Sequence, residues 1–221
     1  MEIRDGVKGR RSIRRFLSKP VPEEMIKEII SDALWSPSLG NTQPWELTVL
    51  TSDTVKQFME KNREEVMSGR KSKTDVPTPE TWPDAHNSRY KDVGRRVLNS
   101  LNIAREDADA RMDYYGRMYA CFDAPALVML SVDKALSLEY AMLDIGIFAQ
   151  SLCLLALDRC LGTSILASSI NYPDVLRESF SFPEDKRIII GIAMGWPDPE
   201  APENKFERSR GEIKEFVKWI K

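Results

Sequence analysis

Apolar residues recur at helical spacing across residues 22–35, where Met25, Ile26, Ile29, Ile30, Ala33 and Leu34 share one face. Pro22 suits a first helical turn, Glu23 and Glu24 complement its dipole, and Pro37 ends it. Residues 45–51 then read as a buried strand, and Asp53 as the cap of a helix reaching about residue 66. Residues 68–87 lose any regular period and carry Pro77, Pro79 and Pro83. They predict a long surface excursion of the kind that covers a site. Trp82 within it is either pinned to the body or offered to a ligand.

From residue 89 to about 118 the pattern is helical and highly charged. Residues 126–132 (ALVMLSV) predict a compact strand, and 138–157, apolar on nearly every face, a buried central helix. Residues 162–167 predict a short strand and 173–179 a short helix. The run RIIIGIAM (187–194) predicts a strand in a sheet covered on both faces, ended by Gly195-Trp196-Pro197. A short amphipathic helix at 212–220 closes the tail, and no repeat or low-complexity tract interrupts the chain. This order belongs to the α+β class, a central sheet with helices around it.

A chain of 221 residues, 42% hydrophobic, suits one globular domain, or one and a half, with a sizeable core. No stretch approaches the roughly 20 continuous apolar residues of a membrane span. The first residues, MEIRDGVKGRRSIRRF, lack the apolar core of a secretory signal. Cys121, Cys153 and Cys160 have no metal-like or C-x-x-C spacing, so they are expected to be buried, inert thiols in a cytoplasmic protein. With His86 the sole histidine, a histidine-based metal site or Ser-His-Asp triad is nearly excluded. A net charge of -2 argues against a dedicated nucleic-acid binder.

Local charge is more informative than the total. Residues 8–15, KGRRSIRR, hold five cations and no acid, and a second basic cluster, Arg208-Ser209-Arg210, lies near the other end. Most charge runs are solvated surface, here on an N-terminal helix, but a serine between arginines also suits a phosphate. A second unusual stretch, WSPSLGNTQPWELTVL (35–50), needs only Pro37 and Gly40 to stop a helix and turn. Its Ser38, Asn41, Gln43 and Pro44-Trp45 exceed that need. Small residues there would let backbone approach a flat ligand and read its polar edge.

Four segments in order, RRSIRRF (10–16), SPSLGNTQPWELTVL (36–50), LGTSILASSINYPDVLRE (161–178) and DKRIIIGIAMGWPDPEAPENKFERSR (185–210), resemble the flavin-dependent nitroreductase family. They cover about a third of the chain. The resemblance implies a three-layer fold, its central sheet mostly antiparallel, forming a homodimer with two FMN sites at the interface. Residues 1–221 would be a single FMN-binding domain, with a lid at about 68–90 and a C-terminal arm at about 196–221. It implies Arg10, Ser12, Arg208 and Arg210 at the phosphate and ribityl end, with Arg11 beside them. Arg14 stands where the family places a cation near the flavin N1 and O2 edge. Pro37, Ser38, Leu39 and Asn41 would wall the ring from the partner chain, with Gln43 holding the loop. Leu166, Ala167 and Ser168 would offer backbone N–H near N5, although Leu166 replaces a residue that is often polar.

The activity implied is ping-pong reduction of nitroaromatics, quinones or activated enones by NADH or NADPH, with no obligate proton-donating side chain. Alternatives are a same-fold flavoenzyme of dehalogenase or flavin-destroying type, and a non-catalytic flavin-binding protein. No G-x-G-x-x-G fingerprint is present, as expected if nicotinamide stacks on the flavin. Asp144, inside the apolar helix, reads as functional or as a polar core or interface contact. Trp82, His86, Arg89 and Tyr90 read equally as pocket residues or as a structural loop, and Arg117 as a neighbour of the flavin pyrimidine edge.

Overall fold

The computed structural model describes residues 1–221. In chain order the elements are α1 (Ile3–Gly9), α2 (Glu23–Ala33), β1 (Glu46–Thr51), α3 (Ser52–Met67), α4 (Asp84–Ser100) and α5 (Ala108–Tyr119). They continue with β2 (Ala126–Asp133), α6 (Leu138–Asp158), β3 (Gly162–Leu166), α7 (Pro173–Phe180), β4 (Lys186–Gly195) and α8 (Ile213–Phe216). The strands form one sheet in the order β1-β2-β4-β3, and every neighbouring pair is antiparallel.

Alternation along β2 divides the core into two layers. Leu127 and Met129 point to one face, with Phe58, Phe122, Leu176 and Ile188. Ala126, Val128, Leu130 and Val132 point to the other, with Ile26, Ile29, Phe148 and Leu152. The fold is therefore α3, α5 and α7 over the sheet, and α2 and α6 beneath it. With β2 buried through Val132 and β4 mostly so, both strands read as continuous apolar runs despite being antiparallel.

Several expectations need correction. The strand after the 36–45 loop is an edge strand, with Leu50 its one fully buried residue. Thr51, not Asp53, caps α3, in a reciprocal capping box with Thr54. The charged helical stretch is two helices, broken after Leu101 where Asn102 takes a left-handed φ of 56° and Asp107 caps the second. The tail helix is a single turn, leaving Trp219 and Ile220 exposed. As for α6, it is long and apolar enough to cross a membrane. Here it packs against α2 and the sheet, while Tyr140, Met142 and Leu143 remain exposed.

The basic N-terminal segment is helical only to Gly9, the end of α1. Residues 12–16 run extended beyond β3, where Ser12 bridges Thr163 in parallel and Phe16 bridges Pro197. Gly162 permits this, because a Cβ there would sit 2.4 Å from Ile13 Cγ1. Gly191 does the same for the turn after β3, since its Cβ would meet Ser169 Oγ at 2.2 Å. Both contacts fix backbone that lines the candidate site.

Candidate active site

The two basic ends of the chain meet at the free edge of β3. Arg208 donates one guanidinium N–H to the Arg10 carbonyl and another to Lys8 O at 2.7 Å. Arg11 donates to Phe206 O, and its guanidinium lies 5.2 Å from the Phe206 ring centroid. Arg14 stacks on the same ring at 5.4 Å and donates to Ser12 O at 3.2 Å. Arg210, exposed, reaches only the carbonyl of Ser209. The partners of these cations are backbone carbonyls, not carboxylates.

That arrangement leaves positive charge uncompensated. Burial, then the charges of Arg208 and Arg14, lower the Arg11 pKa. Burial, then Arg210 and Arg10, lower that of Arg208. Both guanidiniums remain protonated, so the shifts measure crowding of like charge rather than loss of it. The Nε atoms of Arg10 and Arg11 are buried without any partner. Buried donors of this kind call for an acceptor. A phosphate, with three acceptor oxygens and up to two negative charges, fits the donor set.

The 36–45 loop is anchored on α6. Asp144, 3% exposed in α6, accepts the Leu39 N–H at 3.2 and 3.3 Å through its two carboxylate oxygens. Ser38 Oγ accepts from the Gln43 N–H at 2.9 Å, and Gln43 Nε2 donates to Asn41 Oδ1 at 3.2 Å. Gly40, Asn41 and Gln43 all take left-handed φ, which explains a glycine and an asparagine there. Asp144 is thus a loop anchor, while Pro37 and Leu39 stay on the surface. Leu39 is thus tied to α6, while Ser38 and Asn41 are held by Gln43 within the loop.

At the end of β3 the chain turns through a single helical turn, Ala167–Ile170. Ala167 is exposed, between buried Leu166 and Ser168. The first amides of a helical turn have no partner within it. Its backbone is held from behind. Ser168 Oγ donates to Met118 O at 3.0 Å, and fully buried Asn62 donates to Ser168 O at 3.2 Å and Tyr119 O at 2.6 Å.

Arg117 is committed within the protein, donating to Glu203 Oε1 at 3.0 Å and to Arg14 O at 3.3 Å. Sequence reasoning missed Glu203, Asn204 and Phe206, which share one turn and its exit beside the arginines. It also missed Asn62. The available signals were Pro202 starting a turn and a phenylalanine two residues before a basic pair.

The 68–90 segment is partly structural. Asp75 pairs with Arg177 at 2.7 Å and accepts the Ile188 N–H, while Tyr172 donates its hydroxyl to Arg70 O. Trp82, His86 and Tyr90 remain exposed at the start of α4. Arg89 instead pairs with Glu215 at 2.7 Å and lies 5.1 Å from the Phe216 ring centroid, tying α4 to the C-terminal residues.

Of the cysteines, Cys121 and Cys153 are buried as expected, but Cys160 is exposed at the end of α6. Burial pushes the Cys121 thiol up to about 12. A thiol reagent applied to native protein should therefore modify Cys160 alone, with all three reacting in denaturant. Mass spectrometry of the labelled peptides checks this.

Arginines without carboxylate partners thus gather beside β3, close to the turn that follows it. The chain belongs to the nitroreductase family, whose profile matches residues 7–196. It is 31% identical to the nitrobenzene nitroreductase of Ectopseudomonas oleovorans, over 99% of this chain and 96% of that protein. It is also 31% identical to the chloronitrobenzene nitroreductase of Comamonas testosteroni, with the same shares covered. Among solved structures, it is similar to the FMN and NADPH-dependent nitroreductase NfnB from Sphigopyxis sp. strain HMH. There the TM-score is 0.95 at 27% identity, and 100% of each chain is covered. The Mycobacterium smegmatis NfnB in complex with NADPH gives 0.92 at 26% identity, covering 99% of this chain and 97% of that one.

Proposed function

We propose that this protein is an FMN-dependent oxidoreductase that uses NADH or NADPH to reduce nitroaromatic compounds, with quinones and activated enones as further acceptors. The observation that carries the reading is the convergence of Arg10, Arg11, Arg14 and Arg208 with no carboxylate among their partners. FMN, when bound, takes two electrons from the nicotinamide and passes them to the acceptor.

The protein supplies position and charge. Arg10, Ser12, Arg208 and Arg210 hold the phosphate and ribityl end, with Arg11 reinforcing them. Arg14 supplies a fixed positive charge at the N1 and O2 edge, the part of the ring that gains negative charge. Leu166, Ala167 and Ser168 present backbone N–H near N5. Water can serve as proton source, so no side chain is assigned that task.

The working unit in this reading is a homodimer. Pro37, Ser38, Leu39 and Asn41 make no hydrogen bond to the arginines of their own chain and would complete the site of the partner. The exposed Tyr140, Met142 and Leu143 on α6, with Trp219 and Ile220 in the tail, supply apolar surface for that interface. Residues 1–221 act as one FMN-binding domain, with 68–90 as its lid and 196–221 as the arm. Free thiols fit a reducing, cytoplasmic setting.

Steady-state assays of FMN-loaded protein test the activity. NADPH or NADH oxidation should depend on added nitrobenzene and give parallel double-reciprocal lines. No oxidation with either dinucleotide, whatever the acceptor, would reject the enzymatic reading in favour of a flavin-binding protein.

A further inference from the structure

Arg14 is held by its backbone from both sides. Its N–H donates to Asn204 Oδ1 at 2.8 Å, and its carbonyl accepts from Arg117 Nη2 at 3.3 Å. The amide of Asn204 also donates to Arg15 O at 2.8 Å and Asp198 O at 3.1 Å, so all its capacity to fix a rotamer is used on backbone. Arg117 is in turn fixed by Glu203, 3.0 Å away, and the two side chains are only 18% and 4% exposed. Glu203 and Asn204 are adjacent in the turn Pro202–Asn204, so one piece of backbone aims both.

A carboxylate as buried as Glu203 is costly unless paired, and an ion pair is a poor way to gain stability alone. Its placement has a more specific consequence. Glu203 pairs with Arg117 and makes no ion pair with Arg14, so the Arg14 charge is steadied without being neutralised. The guanidinium of Arg14 then rests against Phe206 and Ser12 O, with the buried phenol of Tyr114 beside it. A charge that needs no reordering when negative charge develops is worth more than a mobile one.

We infer that Arg117, Glu203 and Asn204 are positioning residues that clamp Arg14 and so set how strongly the protein stabilises reduced FMN. The inference rests on the flavin reading of the site. It reassigns Arg117 from a flavin neighbour to a support for Arg14.

The test uses FMN-loaded Glu203→Gln and Asn204→Ala proteins, measuring the flavin midpoint potential, the FMN dissociation constant and the rate of reduction by NADPH. Both variants should shift the potential to more negative values and slow reduction about tenfold, the low end of what supporting residues contribute. FMN affinity should change far less, because the phosphate ligands are untouched. The sign of the potential is diagnostic. Removing a carboxylate that acts through charge alone would move it to more positive values, so a positive or unchanged potential overturns the clamp. If Glu203→Gln does not fold, Arg117→Lys carries the same expectation, since it keeps the charge and loses the two-sided reach. Wild-type protein that takes up no FMN would overturn the flavin reading and the clamp together. A normal wild-type spectrum with unmoved variants overturns the clamp alone.

Discussion

Replacing Arg208 and Arg210 together with alanine is expected to raise the FMN dissociation constant on the order of a hundredfold, leaving protein purified largely without flavin. Two charged contacts at about 1.5 kcal/mol each give about that factor. The effect has a second source in the structure. Arg208 donates to the carbonyls of Lys8 and Arg10, so it also staples the C-terminal residues to the end of α1 and the segment that follows. Loss of Arg208 removes a cation and loosens its neighbours in one step. Fluorescence titration with FMN measures the change, and raised salt should weaken wild type toward the variant, as expected for phosphate held by charge. Near-wild-type affinity in the double variant would remove these residues from the phosphate site.

Arg14→Ala should behave in the opposite way. Flavin should be retained far better, while reduction by NADPH slows on the order of a hundredfold, as when one preorganised charged donor is removed from a reacting centre. The separation follows from position. The Arg14 backbone is held by Asn204 and Arg117, whereas Arg208 holds the Lys8 and Arg10 carbonyls. The Arg14 guanidinium rests against Phe206 and donates to Ser12 O. Stopped-flow reduction and FMN titration on the same preparation separate the two effects. Equal flavin loss in both proteins, with reduction unchanged in Arg14→Ala, would contradict this division of roles.

How much of this was legible in the sequence depends on the range of the interaction concerned. The spacing of Met25, Ile26, Ile29 and Ile30 gave α2, and the apolar runs gave β2, β4 and α6, because local burial imposes its period on consecutive residues. The break between α4 and α5 was hidden, since Asn102 turns the chain with an ordinary polar residue rather than proline or glycine. That β1 is an edge strand could not be read either, because Leu47 and Val49 look apolar whether or not another strand lies beyond them. RRSIRRF was visible as a cation cluster, but its spacing suggested helix, and only long-range bridges to Thr163 and Pro197 keep it out of one. The support around Arg14 was least accessible. Asn204 meets Arg14 across 190 residues, and nothing local marks an asparagine for that contact.

The visible absorption spectrum of freshly purified protein, followed by release and identification of any chromophore, tests the central claim most directly. A yellow protein that releases FMN at about one per chain is the result predicted by arginines that converge without carboxylate partners. A colourless protein that also fails to take up added FMN would contradict the account, and the two basic ends of the chain would then have to serve another anion.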